Sequence, residues 1–163
     1  MKKQIIFSAV FGLFAFTQVQ AQTSDAETDA VVNLLGVQKR EAVAKLVPVT
    51  GKDSISFWKI YDEYLAVNKE AAKTRINLYQ RTAKAYSNMD NATAESLAKD
   101  YFKLRTVQEK SLELYHDKIK KATNPIIAFE FYQAEVYILT QIRASLMQQI
   151  PTYGQLVAGS KKK

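Results

Sequence analysis

A single histidine and the absence of cysteine limit the chemistry this chain can carry. His116 follows Glu113 by three residues, which sets a carboxylate and an imidazole on one face of a helix. Carboxylate-bridged di-iron bundles use that pair, but they need a second Glu-x-x-His on a facing helix. No other histidine exists to supply it. Glu109, Glu113, His116 and Asp117 together would make at most a loose divalent-metal site. The plainer reading is a solvated face near a helix end, and no metal is assigned. Nucleophilic catalysis has little to build on, with no cysteine, no G-x-S-x-G elbow and no obvious nucleophile near His116. The five glycines form neither G-x-G-x-x-G nor a Walker pattern, so no phosphate-cradling loop is expected. Paired carboxylates for glycoside chemistry would have to come from acids that on helices ordinarily face water. The chain is read as a non-enzyme without a cofactor.

Aromatic and basic residues offer a binding surface instead. All nine tyrosines fall after residue 22, and Tyr61, Tyr79, Tyr86, Tyr101, Tyr115 and Tyr132 sit on helical stripes. Rings at helical spacing ordinarily form core. The functional reading is that slender long helices cannot hide them all. Part of the Phe57, Trp58, Tyr61, Tyr64 group, or of the Tyr79, Tyr86 end, then stays open as a protein-binding surface. Lys69, Lys73, Arg75 and Arg81 complete this candidate surface, with Lys84 beside it, and make it mixed apolar and basic.

These residues must be positioned by helices, because no segment alternates with period two for long enough to be a strand. Residues 1–21 carry Lys2 and Lys3, an apolar centre from Ile5 to Phe16, and Val19-Gln20-Ala21 as a small-residue cleavage site. That is the layout of a secretory signal peptide cleaved near Ala21. The apolar centre is too short for the ~20 residues of a spanning helix. Residues 22–28 are small and polar, and are expected to be flexible. A single helical domain follows over 29–151. Asp29 caps a first helix that Gly36 weakens or bends and Pro48 stops. Asp53 or Ser54 caps a second helix reaching about Tyr86, with Trp58, Tyr61, Leu65, Ala72, Ile76, Tyr79, Ala83 and Tyr86 as its seam. The third runs from about Thr93 to Ala122, with Gln108 filling a gap in its apolar stripe. The fourth starts at Pro125, which suits a first helical position, and ends at Pro151.

The fourth helix is the apolar centre of the chain. Sixteen of its 26 residues from Pro125 to Ile150 are apolar, and only Glu130, Glu135 and Arg143 are charged. Two rows run along it: Phe129, Tyr132, Val136, Leu139, Leu146 and Ile150, and beside them Ile127, Phe131, Ala134, Ile138 and Ile142. A helix so apolar must be covered by others. The second and third helices would each reach roughly 45–50 Å at 1.5 Å per residue. A compact globule of about 140 residues has a radius of gyration near 14 Å. The fold expected is therefore all-α, four helices with a long antiparallel helical hairpin, elongated and homodimeric.

The formal charge of +7 is carried by the ends. Without Lys2, Lys3 and Lys161 to Lys163 the body holds +2. A nucleic-acid interface needs a basic patch on the fold itself, so none is expected. The tail over 152–163 makes at most peripheral contact with an anionic membrane.

Phe57-Trp58-Lys59-Ile60-Tyr61-Asp62-Glu63-Tyr64, Phe131-Tyr132-Gln133-Ala134-Glu135 and Ile150-Pro151 together resemble the Spy/CpxP-like periplasmic proteins, closest to the uncharacterised members of that group. The L-T-x-x-Q signature of the named chaperones is matched only by Leu139-Thr140-Gln141-Ile142-Arg143, with arginine in place of glutamine. The resemblance spans most of residues 50 to 152. It implies a thin, cradle-shaped antiparallel dimer in the periplasm, or a secreted one. The implied activity is ATP-independent holding of unfolded or partly folded envelope proteins, or buffering of envelope stress. A specific regulatory or structural partnership with one envelope protein is the alternative, and a metal- or small-ligand-binding helical protein a third.

Overall fold

The computed structural model describes residues 25–152 and Gly154. Among them the chain forms five α-helices and no strand. They are α1 (Asp25–Leu46), α2 (Gly51–Val67), α3 (Lys69–Ala85), α4 (Asn91–Ala122) and α5 (Pro125–Met147), with a 3-10 turn over Tyr86–Asn88 after α3. The expected signal peptide and nearly all of the basic tail lie outside the described residues.

Capping chemistry fixes the later boundaries. Asp90 accepts from the Thr93 amide at 2.7 Å, which starts α4. Asn124 accepts from the amides of Ile126 and Ile127, with Pro125 in the first helical position of α5, as expected. Elsewhere the expected limits need correction. α1 begins at Asp25 rather than after Asp29, and Asp29 lies inside it as the ion-pair partner of Lys73. Gly36 neither splits nor ends α1. α2 opens at Gly51, whose φ of +59° suits glycine, so Asp53 and Ser54 fall inside the first turn. α5 stops at Met147, ahead of Pro151.

The largest correction is at Asn68. One uninterrupted helix was expected from residue 53 to 86, and α2 and α3 stand there instead. The Asn68 side chain donates to the Tyr64 carbonyl at 2.8 Å and to Ser111 Oγ on α4 at 2.8 Å. A side-chain amide bonded to the helix's own carbonyl competes with regular helical geometry. The interruption is one residue wide, since Asn68 N still donates to Tyr64 O and Ala72 N to Asn68 O.

α4 packs on α2, α3 and α5, while α1 packs on α3 and α5. Contacts between α4 and the α2–α3 pair join Glu63 to Lys118, Asn68 to Ser111, Arg75 to Gln108 and Thr82 to Tyr101. Two apolar clusters result. The larger joins Val43 of α1 and Val47 just after it, Phe57, Tyr61 and Tyr64 of α2, Leu112, Tyr115 and Ile119 of α4, and Phe131, Ile138 and Leu139 of α5. The smaller holds Val32, Ile76, Tyr79, Leu146 and Ile150.

Candidate functional site

The aromatic half of the expected surface is interior. Phe57 and Tyr61 are fully buried and Tyr64 is nearly so. Their rings close around Phe131 of α5 in edge-to-face contacts at centroid distances of 6.5, 6.1 and 5.4 Å. Edge-to-face packing of this kind adds to the area buried, so these rings hold the core together and offer nothing to a partner. Trp58 is half-buried under the Arg40 guanidinium, 4.4 Å from the ring centroid, and Arg40 is itself held by Asp62. Tyr79 is buried against Tyr101 at 5.2 Å, and Arg75 is buried as well. Lys73 pairs with Asp29 and Glu70, and Arg81 with Asp100. Tyr86 is exposed and accepts from Thr152 Oγ1. Lys69 is half-buried. The ten residues therefore form no single surface.

What sequence reasoning missed is the environment of Glu135. This carboxylate sits on the inner side of α5 with no exposure to solvent. Its Oε1 accepts from Tyr61 OH at 2.9 Å and its Oε2 from Tyr64 OH at 2.7 Å. Lys39 of α1 completes the cluster, its Nζ 2.6 Å from Oε2. A buried charge survives only when paired and hydrogen-bonded, and three helices contribute to that here. Burial and the neighbouring carboxylate push both phenols well above their ordinary range. Burial also lowers the Lys39 pKa, against the opposing pull of Glu135. The signal for this cluster was present in the sequence: Glu135 falls beside the buried row through Phe131, Ala134 and Ile138.

A second polar layer lies next to it. Arg75 of α3 and Arg143 of α5 both donate to the Gln108 side-chain oxygen, each at 2.9 Å. Gln108 is buried, as its place in the α4 stripe predicts. No carboxylate lies within ion-pair distance of either arginine among the described residues. Arg75 and Gln108 form part of the wall of a cavity of about 320 Å³ bounded by α1, α2, α3 and α5, with Gln108 contributed by α4. Its apolar walls come from both clusters, Leu139 from one and Val32, Ile76 and Leu146 from the other.

The outer side of α5 reverses the usual arrangement of a surface helix. Its exposed positions include Ile126, Phe129, Tyr132, Gln133, Val136, Tyr137, Thr140 and Ala144, and none of them is charged. Ile126 is 70% exposed and Phe129 57%. The expectation that both apolar rows of this helix are covered is therefore corrected. Ile127, Phe131, Ala134 and Ile138 are covered to different degrees by α1, α2 and α4, and Leu139, Leu146 and Ile150 of the other row are buried too, but its Phe129, Tyr132 and Val136 face outward. Exposed Phe102 and Leu114 on α4 stand among charged neighbours, which is ordinary for a surface.

His116 Nδ1 lies 3.3 Å from Asp117 Oδ1. No group of three or more His, Cys, Asp or Glu among the described residues is placed to hold a metal ion. No described helix is long and apolar enough to cross a membrane. Comparison with protein-family models, with curated proteins and with solved structures gave no match.

Proposed function

We propose that this chain is an exported, non-catalytic helical protein that holds partly unfolded envelope proteins without nucleotide. The observation that carries this reading is the uncharged outer face of α5, from Ile126 to Ala144. Ile126, Phe129, Tyr132, Val136 and Tyr137 are exposed apolar side chains grouped on this face, interrupted by Gln133 and Thr140 and with half-buried Glu130 among them. Grouped exposed apolar residues mark places where another surface docks. Phe and Tyr side chains give such a surface large contact area. The reading moves the binding surface from the α2–α3 aromatics to α5. The leader-like residues 1–21 support export.

We further infer that α2 and α3 run antiparallel to α4 as one long bent hairpin. The pairs Glu63–Lys118, Asn68–Ser111, Arg75–Gln108 and Thr82–Tyr101 support this, because one number rises as the other falls. A homodimer is inferred from α4, whose 32 residues extend about 48 Å.

The test is light scattering from a chemically denatured client, with no nucleotide present. The purified protein suppresses aggregation at molar excess, and Phe129→Asp loses most of that effect while keeping its helical circular dichroism. Unchanged client scattering with the unsubstituted protein rejects the proposal. Sedimentation of both proteins separates a second possibility. If Phe129→Asp converts a dimer into a monomer, the face is a subunit interface and the client reading fails.

A further inference from the structure

We infer that the cavity between α1, α2, α3 and α5 is a binding site for an amphipathic monoanion, an aliphatic chain ended by a single carboxylate. The site is independent of the outer face of α5.

Three observations carry this. The first is charge. Lys39, Arg40, Lys69 and Arg75 all line the cavity, and no aspartate or glutamate does. Lys39 and Arg40 are engaged by Glu135 and Asp62, whose residues lie outside the lining. Lys69 and Arg75 have no carboxylate within ion-pair distance among the described residues.

The second is Arg75 itself, which is 7% exposed. Its hydrogen bond goes to a neutral amide oxygen, which Arg143 shares. A guanidinium presents five donors in a planar fork and cannot lose its charge in a protein. Burying it without an anion is costly, and a carboxylate matches the fork. Burial, followed by Arg143, lowers the pKa of this group. Both influences disfavour the cation; Tyr64, Tyr79 and the more distant Glu135 carboxylate each favour it less strongly, and an arriving carboxylate would add to them.

The third is shape. Most of the remaining wall is aliphatic, including Leu65, Ile76, Leu139 and Leu146, while Asn33, Asn68 and Gln108 add neutral polar groups and Tyr64 a ring. At about 30 Å³ per water-sized group, 320 Å³ holds about eleven heavy atoms, so decanoate, with its ten carbons and two oxygens, fills it up to its open mouth. The volume is at the low end of the range for ligand sites. Gly36 of α1 leaves the space open: a Cβ built there meets nothing within 4 Å. A small residue at that position keeps the cavity from being filled by its own helix.

Calorimetry with decanoate below its micelle threshold tests the site. The expected result is saturable binding of one molecule per chain. Decanol and decyltrimethylammonium, with the same tail but no negative charge, bind at least tenfold more weakly. Arg75→Gln weakens decanoate at least tenfold. Gly36→Leu places a good helix former into the open space and removes binding while the helical signal and melting are kept, so the test survives if Arg75→Gln fails to fold. Phe129→Asp leaves decanoate binding unchanged. No heat at millimolar decanoate overturns the inference. So does equal binding of decanol, binding that persists in Gly36→Leu, or binding lost in Phe129→Asp, which would place the ligand on the outer face of α5.

Discussion

The two oxygens of Glu135 are unequally supported, and that inequality is measurable. Oε2 has both Tyr64 and Lys39, whereas Oε1 relies on Tyr61 alone among the described residues. Removing the only partner of a buried acceptor costs about 1–3 kcal/mol, more when the acceptor is charged. Tyr61→Phe is therefore expected to lower stability by at least about 1 kcal/mol more than Tyr64→Phe. Urea denaturation with an unchanged slope gives the comparison. Equal losses would mean that Lys39 moves to share itself between the oxygens. At this scale the sequence was half legible. Gln108 on an apolar stripe announced its own burial. Tyr61 lay on the expected seam and is core, but Phe57 and Tyr64, offered as part of an open surface, are core as well, while the seam residues Trp58 and Leu65 are only half-buried. Glu135 also lay on the inner row, but its partners stand 71 and 74 residues away in sequence, too far for local spacing to identify.

Elements were legible where their ends are local chemistry. Asn124-Pro125 and the Asp90 turn gave the starts of α5 and α4 within a residue or two. Asn68 was not legible, because the reason for the bend includes Ser111, 43 residues away on another helix. Gly36 misled in the opposite direction. Its low helix propensity suggested a break, but Val32 and Val43 on the same helix are buried, and packing outweighs about 1 kcal/mol of intrinsic preference. The residue is helical, and its missing Cβ would touch nothing. Gly36→Ala is accordingly expected to stabilise the protein by about 0.5–1 kcal/mol, through a less flexible unfolded chain and a better helix former. A rise in the urea midpoint checks this. A fall would show that α1 needs the freedom of glycine at that point.

For the molecule as a whole, the buried phenols set an alkaline limit. Tyr61 and Tyr64 have folded pKa values well above the ordinary value of 10.0, so the stability they contribute is complete below about pH 10. It is lost as pH rises from there towards their folded values, at about 1.4 kcal/mol per pH unit for each group. Lys39 works against this up to its ordinary value of 10.5, because its folded pKa is lowered and the unfolded chain holds that proton longer. The full slope therefore appears above about pH 10.5. Tyr79, Tyr101 and Tyr115 are shifted upward as well. Urea midpoints followed from about pH 9 should show no steep fall until about pH 10.5 and drop steeply above it, less steeply in the Tyr61→Phe, Tyr64→Phe double variant. A flat profile would contradict the buried cluster. The all-helical class of the fold was legible at this scale from periodicity alone. The open face of α5 was not, because Phe129, Tyr132 and Val136 share a sequence row with Leu139, Leu146 and Ile150, and only the placement of the other helices leaves the first three uncovered and buries the last three.

The Glu135 cluster also constrains the order in which this polypeptide completes itself. A chain emerges from the ribosome amino-terminus first, so Lys39, Tyr61 and Tyr64 are made long before the carboxylate that unites them. Until the last segment arrives, the lysine has no counter-ion in its place and the two hydroxyls have no acceptor between them. The cluster therefore cannot assemble before α5 has been made, whatever the earlier helices have formed by then.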